Sequence, residues 1–297
     1  MGKIAADRLP ILAPELKAII RSHGWFQLRP YGTDGNSFLR YAFNLPEGSC
    51  AFIIRARKHA VTLSILRGPR NLATRIAHRI LSLGYDTEAF YRSVGRQGQF
   101  KWIAAGKHGR WLRSASLYED LFKIILTTNT VWERTEAMNN RAVQLFGETI
   151  GPIRAFPTPE RIASLTDTEL RRELGCGYRA PFLVELARRA VLQPRVFLSD
   201  ETDAWEPDAF RALLLSIKGI GAVSANYVSR MYGRSLGFAV DAFVLRRCRE
   251  LWGTNHTSVH RFLERRFGRF EPFGALLLWL ELTRHWHAPP SLSPDEF

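Results

Sequence analysis

Residues 213–247 read LLLSIKGIGAVSANYVSRMYGRSLGFAVDAFVLRR, and the fold follows from how this stretch is parsed. An apolar helical run, Leu213 to Ile217, breaks at Lys218-Gly219-Ile220-Gly221, and a second run from Val223 to Met231 resumes at helical spacing. Two glycines bracketing one apolar residue let the backbone turn tightly and bring bare N–H groups to a surface, where they can hold a phosphate. This is a helix-hairpin-helix pattern, spanning 213–232. After a turn with Gly233 and Gly237, the apolar approach Phe238-Ala239-Val240 delivers one acid, Asp241, to the start of another helix.

The rest of the chain fits a nucleic-acid partner. Among 297 residues, Lys+Arg 42 against Asp+Glu 28 leaves a formal charge of +14, while 46% hydrophobic residues argue for a folded chain whose charge lies on its surface. Such a surface displaces counterions from a polyanion, although a generic basic protein has the same excess. Cys50, Cys176 and Cys248 are odd in number and widely spaced, which argues against a disulfide framework and for a reducing cytoplasm. No apolar run approaches a membrane span, so a soluble, unexported chain is expected.

Working outward, residues 10–24 read as a short amphipathic helix. Phe26–Arg29, Phe38–Phe43, Ala51–Arg57 and Ala60–Leu66 are aromatic and β-branched runs separated by turns, predicting an antiparallel sheet of about four strands. Helices follow at Asn71–Leu83 and Thr87–Ser93. The basic, glycine-containing piece Gly106–Arg113 reads as a phosphate contact or a solvated linker. From Ser116 the chain looks helical, at Leu117–Thr128, Val131–Gly147, Pro159–Leu165, Asp167–Leu174, Pro181–Leu192 and Pro207–Lys218, and again at Pro272–Trp286 before a proline-containing tail. Thr158-Pro159 and the box Thr166-x-x-Glu169 supply start signals. The predicted domains are a sheet domain over 1–100 and a helical domain over 101–297 that holds the hairpin and the aspartate segment 238–247.

Hairpin, second helix, turn and Val240-Asp241-x-x-Val244-x-Arg246 together resemble the helix-hairpin-helix (HhH-GPD) DNA glycosylases, the superfamily of endonuclease III, 8-oxoguanine glycosylase and AlkA. The resemblance implies a mainly α fold: a glycosylase core of two helical subdomains behind an N-terminal antiparallel sheet, as in the AlkA-like and 8-oxoguanine glycosylase-like branch. It implies that Lys218, Gly219, Ile220, Gly221 and Ser224 of the hairpin grip the phosphate backbone, and that Asp241 works on a nucleotide flipped out of double-stranded DNA carrying an altered base. The chemistry is consistent, because breaking an N-glycosidic bond builds oxocarbenium charge that a carboxylate stabilises. Asp is equally a favoured helix N-cap, and Asp241 can be both.

Two upstream segments extend the resemblance. Leu121–Thr130 is similar to the helix end where the family places an Asn or Gln that enters the gap left by the flipped base, here Asn129. Gly175-Cys-Gly-Tyr178-Arg179-Ala is similar to the 8-oxoguanine glycosylase loop whose Tyr and Arg wedge the stack and contact the partner base, and Arg134 falls where that enzyme has another partner-base arginine. The alternatives are a polar helix end and an ordinary interhelix turn. Bifunctional members carry a Schiff-base lysine at the start of the second hairpin helix. That position is Val223 here, which shares a helical face with Tyr227 and Met231 and equally reads as core. Lys218 is the only lysine close by, and it stands where the family has a proline, so 8-oxoguanine specificity does not carry over.

Some endonuclease III relatives hold a C-terminal iron–sulfur cluster, whereas 262–297 contains no Cys, so no cofactor or metal is expected. Trp102, Trp132, Phe243 and Trp279 read either as base-stacking residues or as core. The sequence therefore predicts a monomeric, cytoplasmic, monofunctional DNA glycosylase. A glycosylase/lyase and a silent DNA-binding module are the alternatives.

Overall fold

The computed structural model describes residues 6–287 except 59, 96, 235, 236 and 256, so the tail at 288–297 lies outside the described residues. Strands β1 (Ala6–Leu9), β2 (Gly32–Thr33), β3 (Phe38–Leu45), β4 (Gly48–Arg57) and β5 (Ala60–Arg67) form an antiparallel sheet in the order β1-β5-β4-β3-β2. Alternation explains which face is buried. Leu39 and Tyr41 on β3 lie opposite Ile54 and Phe52 on β4, and Ile54 lies opposite Leu63 on β5, all of them buried. The other face is covered over Ala42 and Ala51 by Ile153 and Ala155 of a small hairpin.

The expected strand at Phe26–Arg29 does not form. Gly24–Gln27 is a 3₁₀ turn, with Trp25 and Leu28 buried and Gln27 exposed between them. Burial at a spacing of three suits a 3₁₀ turn and not the two-residue period of a strand. Trp25 is drawn inward because its indole Nε1 donates to Asp120 Oδ1 at 2.8 Å.

Apart from the small hairpin of Thr149–Ile150 and Ile153–Arg154, the remaining elements are helical, as expected, with Leu117–Thr127 at their centre. Ser116 caps that helix by accepting from the Glu119 N–H, and ten of its residues are buried. The charges among them are satisfied internally. Lys123 Nζ lies 2.6 Å from Glu119 Oε1, while Asp120 accepts from Trp25, from the Ser114 N–H and from the Tyr232 hydroxyl. Tyr41 of β3 donates to Glu119 Oε2 at 2.6 Å, so the sheet and the central helix share one polar network. The Thr158 cap and the Thr166–Glu169 capping box are present as read from sequence.

Gly106–Arg113 is not a solvated linker. His108, Trp111, Leu112 and Arg113 are buried, the Arg113 N–H donates to the Ile80 carbonyl, and the Leu112 N–H donates to Ser22 Oγ. Its two arginines pair inside, Arg110 with Glu15 and Arg113 with Asp203. The apolar core is continuous from Leu9 to Leu282 across the expected boundary near residue 100.

Candidate active site

The hairpin is built by the helices Pro207–Leu215 and Ala222–Met231. Between them Gly219 has φ +88° and its α-carbon faces Phe182, so any side chain there meets both backbone strain and that ring. Gly221 faces open space and precedes a helix with no side-chain cap. Among the described residues the first-turn N–H groups of Ala222, Val223 and Ser224 have no partner and are open to an outside acceptor, and the helix dipole favours an anion. Ile220 departs from its expected role: its N–H is bonded to the Ile217 carbonyl at 3.1 Å and its side chain is buried. It anchors the turn and offers no donor to phosphate. Lys218 is exposed and pairs with Glu185 at 3.0 Å.

Asp241 caps the helix Ala242–Trp252, its Oδ1 accepting the Val244 N–H at 2.8 Å. The carboxylate is exposed, and its Oδ2 has no hydrogen-bond partner among the described residues. Asn226 Nδ2 donates to the Phe238 carbonyl at 3.3 Å, tying the approach to Asp241 onto the second hairpin helix.

Beside Asp241 lies an aromatic wall. Tyr227 of the hairpin helix meets Trp279 edge-on at 5.8 Å and Trp111 at 5.8 Å, and Trp279 in turn touches Phe243 at 5.6 Å. His23 completes the wall from the N-terminal part of the chain. Burial lowers its pKa to about 3, so the ring is neutral. With Nε2 donating to the Leu112 carbonyl, Nδ1 is left to accept from the Tyr227 hydroxyl at 3.2 Å. Behind the rings sits the buried Arg230, with Cζ 5.0 Å from Trp111, 5.0 Å from Tyr227 and 4.9 Å from Trp279. Burial lowers Arg230 to about 10, while Tyr227 and the Asp241 carboxylate favour its charged form. It therefore remains a cation near neutrality.

The Asn129 turn and the Tyr178–Arg179 loop lie against each other. Asn129 adopts φ +46°, and its Nδ2 donates to the Tyr178 hydroxyl at 3.2 Å. Both side chains are exposed. Arg179 is not exposed. Its guanidinium is buried, bonded to the carbonyls of Thr128, Asn129 and Cys176. In this conformation it holds the Asn129 turn in place and does not project as a wedge. Arg134 is exposed near the start of the helix Trp132–Phe146. The Phe182 ring, 6.2 Å from the Tyr178 ring and packed under Gly219, joins this rim to the hairpin turn.

The helical fold with its hairpin agrees with the comparisons. Residues 122–272 match the family model described as "HhH-GPD superfamily base excision DNA repair protein". The chain belongs to this superfamily. Among curated relatives, a Saccharomyces cerevisiae protein named "N-glycosylase/DNA lyase" is 33% identical over 128 residues, 38% of this chain and 34% of that protein, so the chain spans about a third of its length. The fold is that of the 3-methyladenine DNA-glycosylase from Archaeoglobus fulgidus (TM-score 0.72, 23% identity, 96% of this chain and 100% of that one). It is also that of the Clostridium acetobutylicum 8-oxoguanine glycosylase/lyase in complex with dsDNA (TM-score 0.68, 18% identity, 95% and 98%).

Within this superfamily fold, the four aromatics named from sequence divide. Phe243 and Trp279 belong to the wall, whereas Trp102 packs on His108 and Trp132 covers Gly24. Sequence reasoning missed His23, Trp111, Tyr227 and Arg230 as wall residues. Tyr227 and Arg230 carried a local signal, three residues apart on the hairpin helix, but His23 and Trp111 carried none.

Proposed function

We propose that this chain is a monofunctional DNA glycosylase that hydrolyses the N-glycosidic bond of an altered base flipped out of duplex DNA. The observation that carries the reading is Asp241, an exposed carboxylate with one oxygen unpartnered among the described residues, beside an aromatic wall and following an uncapped hairpin helix. The hairpin N–H groups fix the backbone, and Tyr227 and Phe243, the half-buried members of the wall, receive the extruded base by stacking. Asp241 stabilises the charge that develops on the sugar and orients the attacking water. Asn129 and Tyr178 occupy the gap in the stack. Val223, 42% exposed at the start of the second hairpin helix, is not the core residue its helical face suggested, and it offers no amine for an imine.

Arg230 sharpens the substrate class. Three aromatic surfaces already face a buried cation, so a positively charged alkylated purine meets repulsion where an uncharged altered base does not. An uncharged base is the expected substrate.

The test is base release from a panel of end-labelled duplexes, each with one altered base, with and without alkali, for the wild type and Asp241→Asn. Cleavage only after alkali, on uncharged lesions, and at least about a hundredfold slower in Asp241→Asn is the expected result. The name of the yeast relative favours a second reading, a glycosylase/lyase, for which Lys218 in the hairpin turn is the nearby amine. Borohydride separates the two, since only an imine is trapped. Breaks without alkali together with trapping would replace the first reading by the second.

A further inference from the structure

A second cleft of about 400 Å³, which shares Trp111 and Arg230 with the wall, opens between the helix Arg70–Ile80, the segment around Arg113 and the end of the second hairpin helix. Neither Asp241 nor the hairpin turn lines it. We propose that it binds a small phosphate monoester.

The lining holds four guanidinium groups, of Arg75, Arg79, Arg113 and Arg230, against two carboxylates, of Asp200 and Asp203. Within the lining cations exceed carboxylates by two, and although Arg75 is also paired with Glu47 at 3.1 Å, the interior stays positive enough for one phosphate group. Three of the arginines are more than nine-tenths buried: Arg79 is 6% exposed, Arg113 8% and Arg230 4%. Their pairing is incomplete. Arg79 reaches both carboxylates through Nη1 alone, and Arg113 reaches Asp203 through Nη2 at 2.7 Å. Among the described residues, Arg79 Nε and Nη2, Arg113 Nε, and Arg230 Nε and Nη2 are buried without a hydrogen-bond partner. Buried N–H donors on charged groups are costly to leave unpaired, and guanidinium donors match phosphate oxygens in geometry and charge.

The organic part of the ligand follows from size and lining. The cleft falls within the usual range of small-molecule sites, well above what one phosphate fills. Tyr85, Trp111 and Tyr232 line it, and Tyr232 is held flat by the Arg113 guanidinium 3.7 Å above its ring. Asp200 at the mouth, with its side chain 37% exposed, repels the dense charge of a DNA backbone yet leaves enough positive charge inside for a single phosphate group.

Calorimetry and thermal unfolding at constant ionic strength test this with three probes: a nucleoside 5′-monophosphate, its parent nucleoside and inorganic phosphate. The monophosphate is expected to bind saturably, inorganic phosphate more weakly, and the nucleoside not at all. Arg75→Gln should weaken the monophosphate about tenfold, as expected for losing one charge-assisted contact, while Asp200→Asn should tighten it several-fold. A gain in Asp200→Asn cannot arise from misfolding. Absence of saturable binding to the wild type overturns the proposal, as does a response unchanged in both variants, which would mark general association with the basic surface. Loss of monophosphate binding in the presence of a saturating undamaged duplex would assign the cleft to DNA phosphate and equally overturn it.

Discussion

The rim of the site and its wall are built by opposite means. The rim, comprising the hairpin turn, Asn129 and Tyr178, is exposed, and its backbone conformations are set within a few residues by glycines and left-handed positions. The wall joins His23, Trp111, Tyr227 and Trp279, drawn from distant parts of the chain and packed against a buried arginine. The difference teaches where function and stability are coupled. A rim side chain can change with little effect on folding, whereas a wall side chain cannot, because the stacking surface is also core.

The largest departure from this contrast would come from Trp279→Ala. The variant removes a ring packed on Trp111, Tyr227 and Phe243 and a hydrogen bond from Nε1 to the Ser22 carbonyl. It should lose about 3–5 kcal/mol in denaturant unfolding, as expected for deleting a buried aromatic. A loss below about 1 kcal/mol would show that the wall is not core.

His23 sharpens the same side through pH. Its pKa is about 3 in the folded protein against the ordinary 6.5 of a histidine, so the unfolded chain takes up the proton more readily. The penalty is absent above the unfolded value and grows as pH falls from 6.5 towards 3. Between pH 7 and pH 5 the wild type should lose roughly 2 kcal/mol that His23→Asn does not, read from paired denaturant curves. Parallel pH profiles for the two proteins would mean that His23 is not held neutral.

Arg179→Met probes the join between rim and interior. It leaves the Thr128 and Asn129 carbonyls without their guanidinium donors, at a cost of about 1–3 kcal/mol. Base release should slow while binding of undamaged duplex is retained. Weakened duplex binding with an unchanged rate of base release would instead give Arg179 a direct DNA contact.

The smallest effect belongs to Tyr178→Phe. It removes one exposed hydroxyl bonded to Thr128 and Asn129, so stability should stay within about 0.5 kcal/mol. A larger loss would show that the rim, too, is part of the fold's support.

How much of this was legible in the sequence follows the same division. The hairpin, the capping boxes and the cap at Asp241 were readable because glycine spacing and cap chemistry act within a turn or two. The candidate roles of Asn129 and Tyr178 were readable only through the resemblance, and their contact was not readable at all. Phe26–Arg29 was misread because an aromatic, apolar run resembles a strand until Asp120, 95 residues away from Trp25, draws the indole inward. Gly106–Arg113 was misread because its basic and glycine content signals solvent, and Glu15 and Asp203, the residues that neutralise it, are remote in sequence.

By itself, then, the sequence determined the hairpin, the position of Asp241 and the helical class of the chain, since these rest on local backbone preference and on the periodicity of burial. Tertiary structure alone decided that His23 and Trp111 meet Tyr227, that Arg179 turns inward, and that four arginines share one cleft. Each of these depends on contacts between residues far apart in the chain. Desolvation and pairing set such contacts once the helices pack, and no local pattern encodes them.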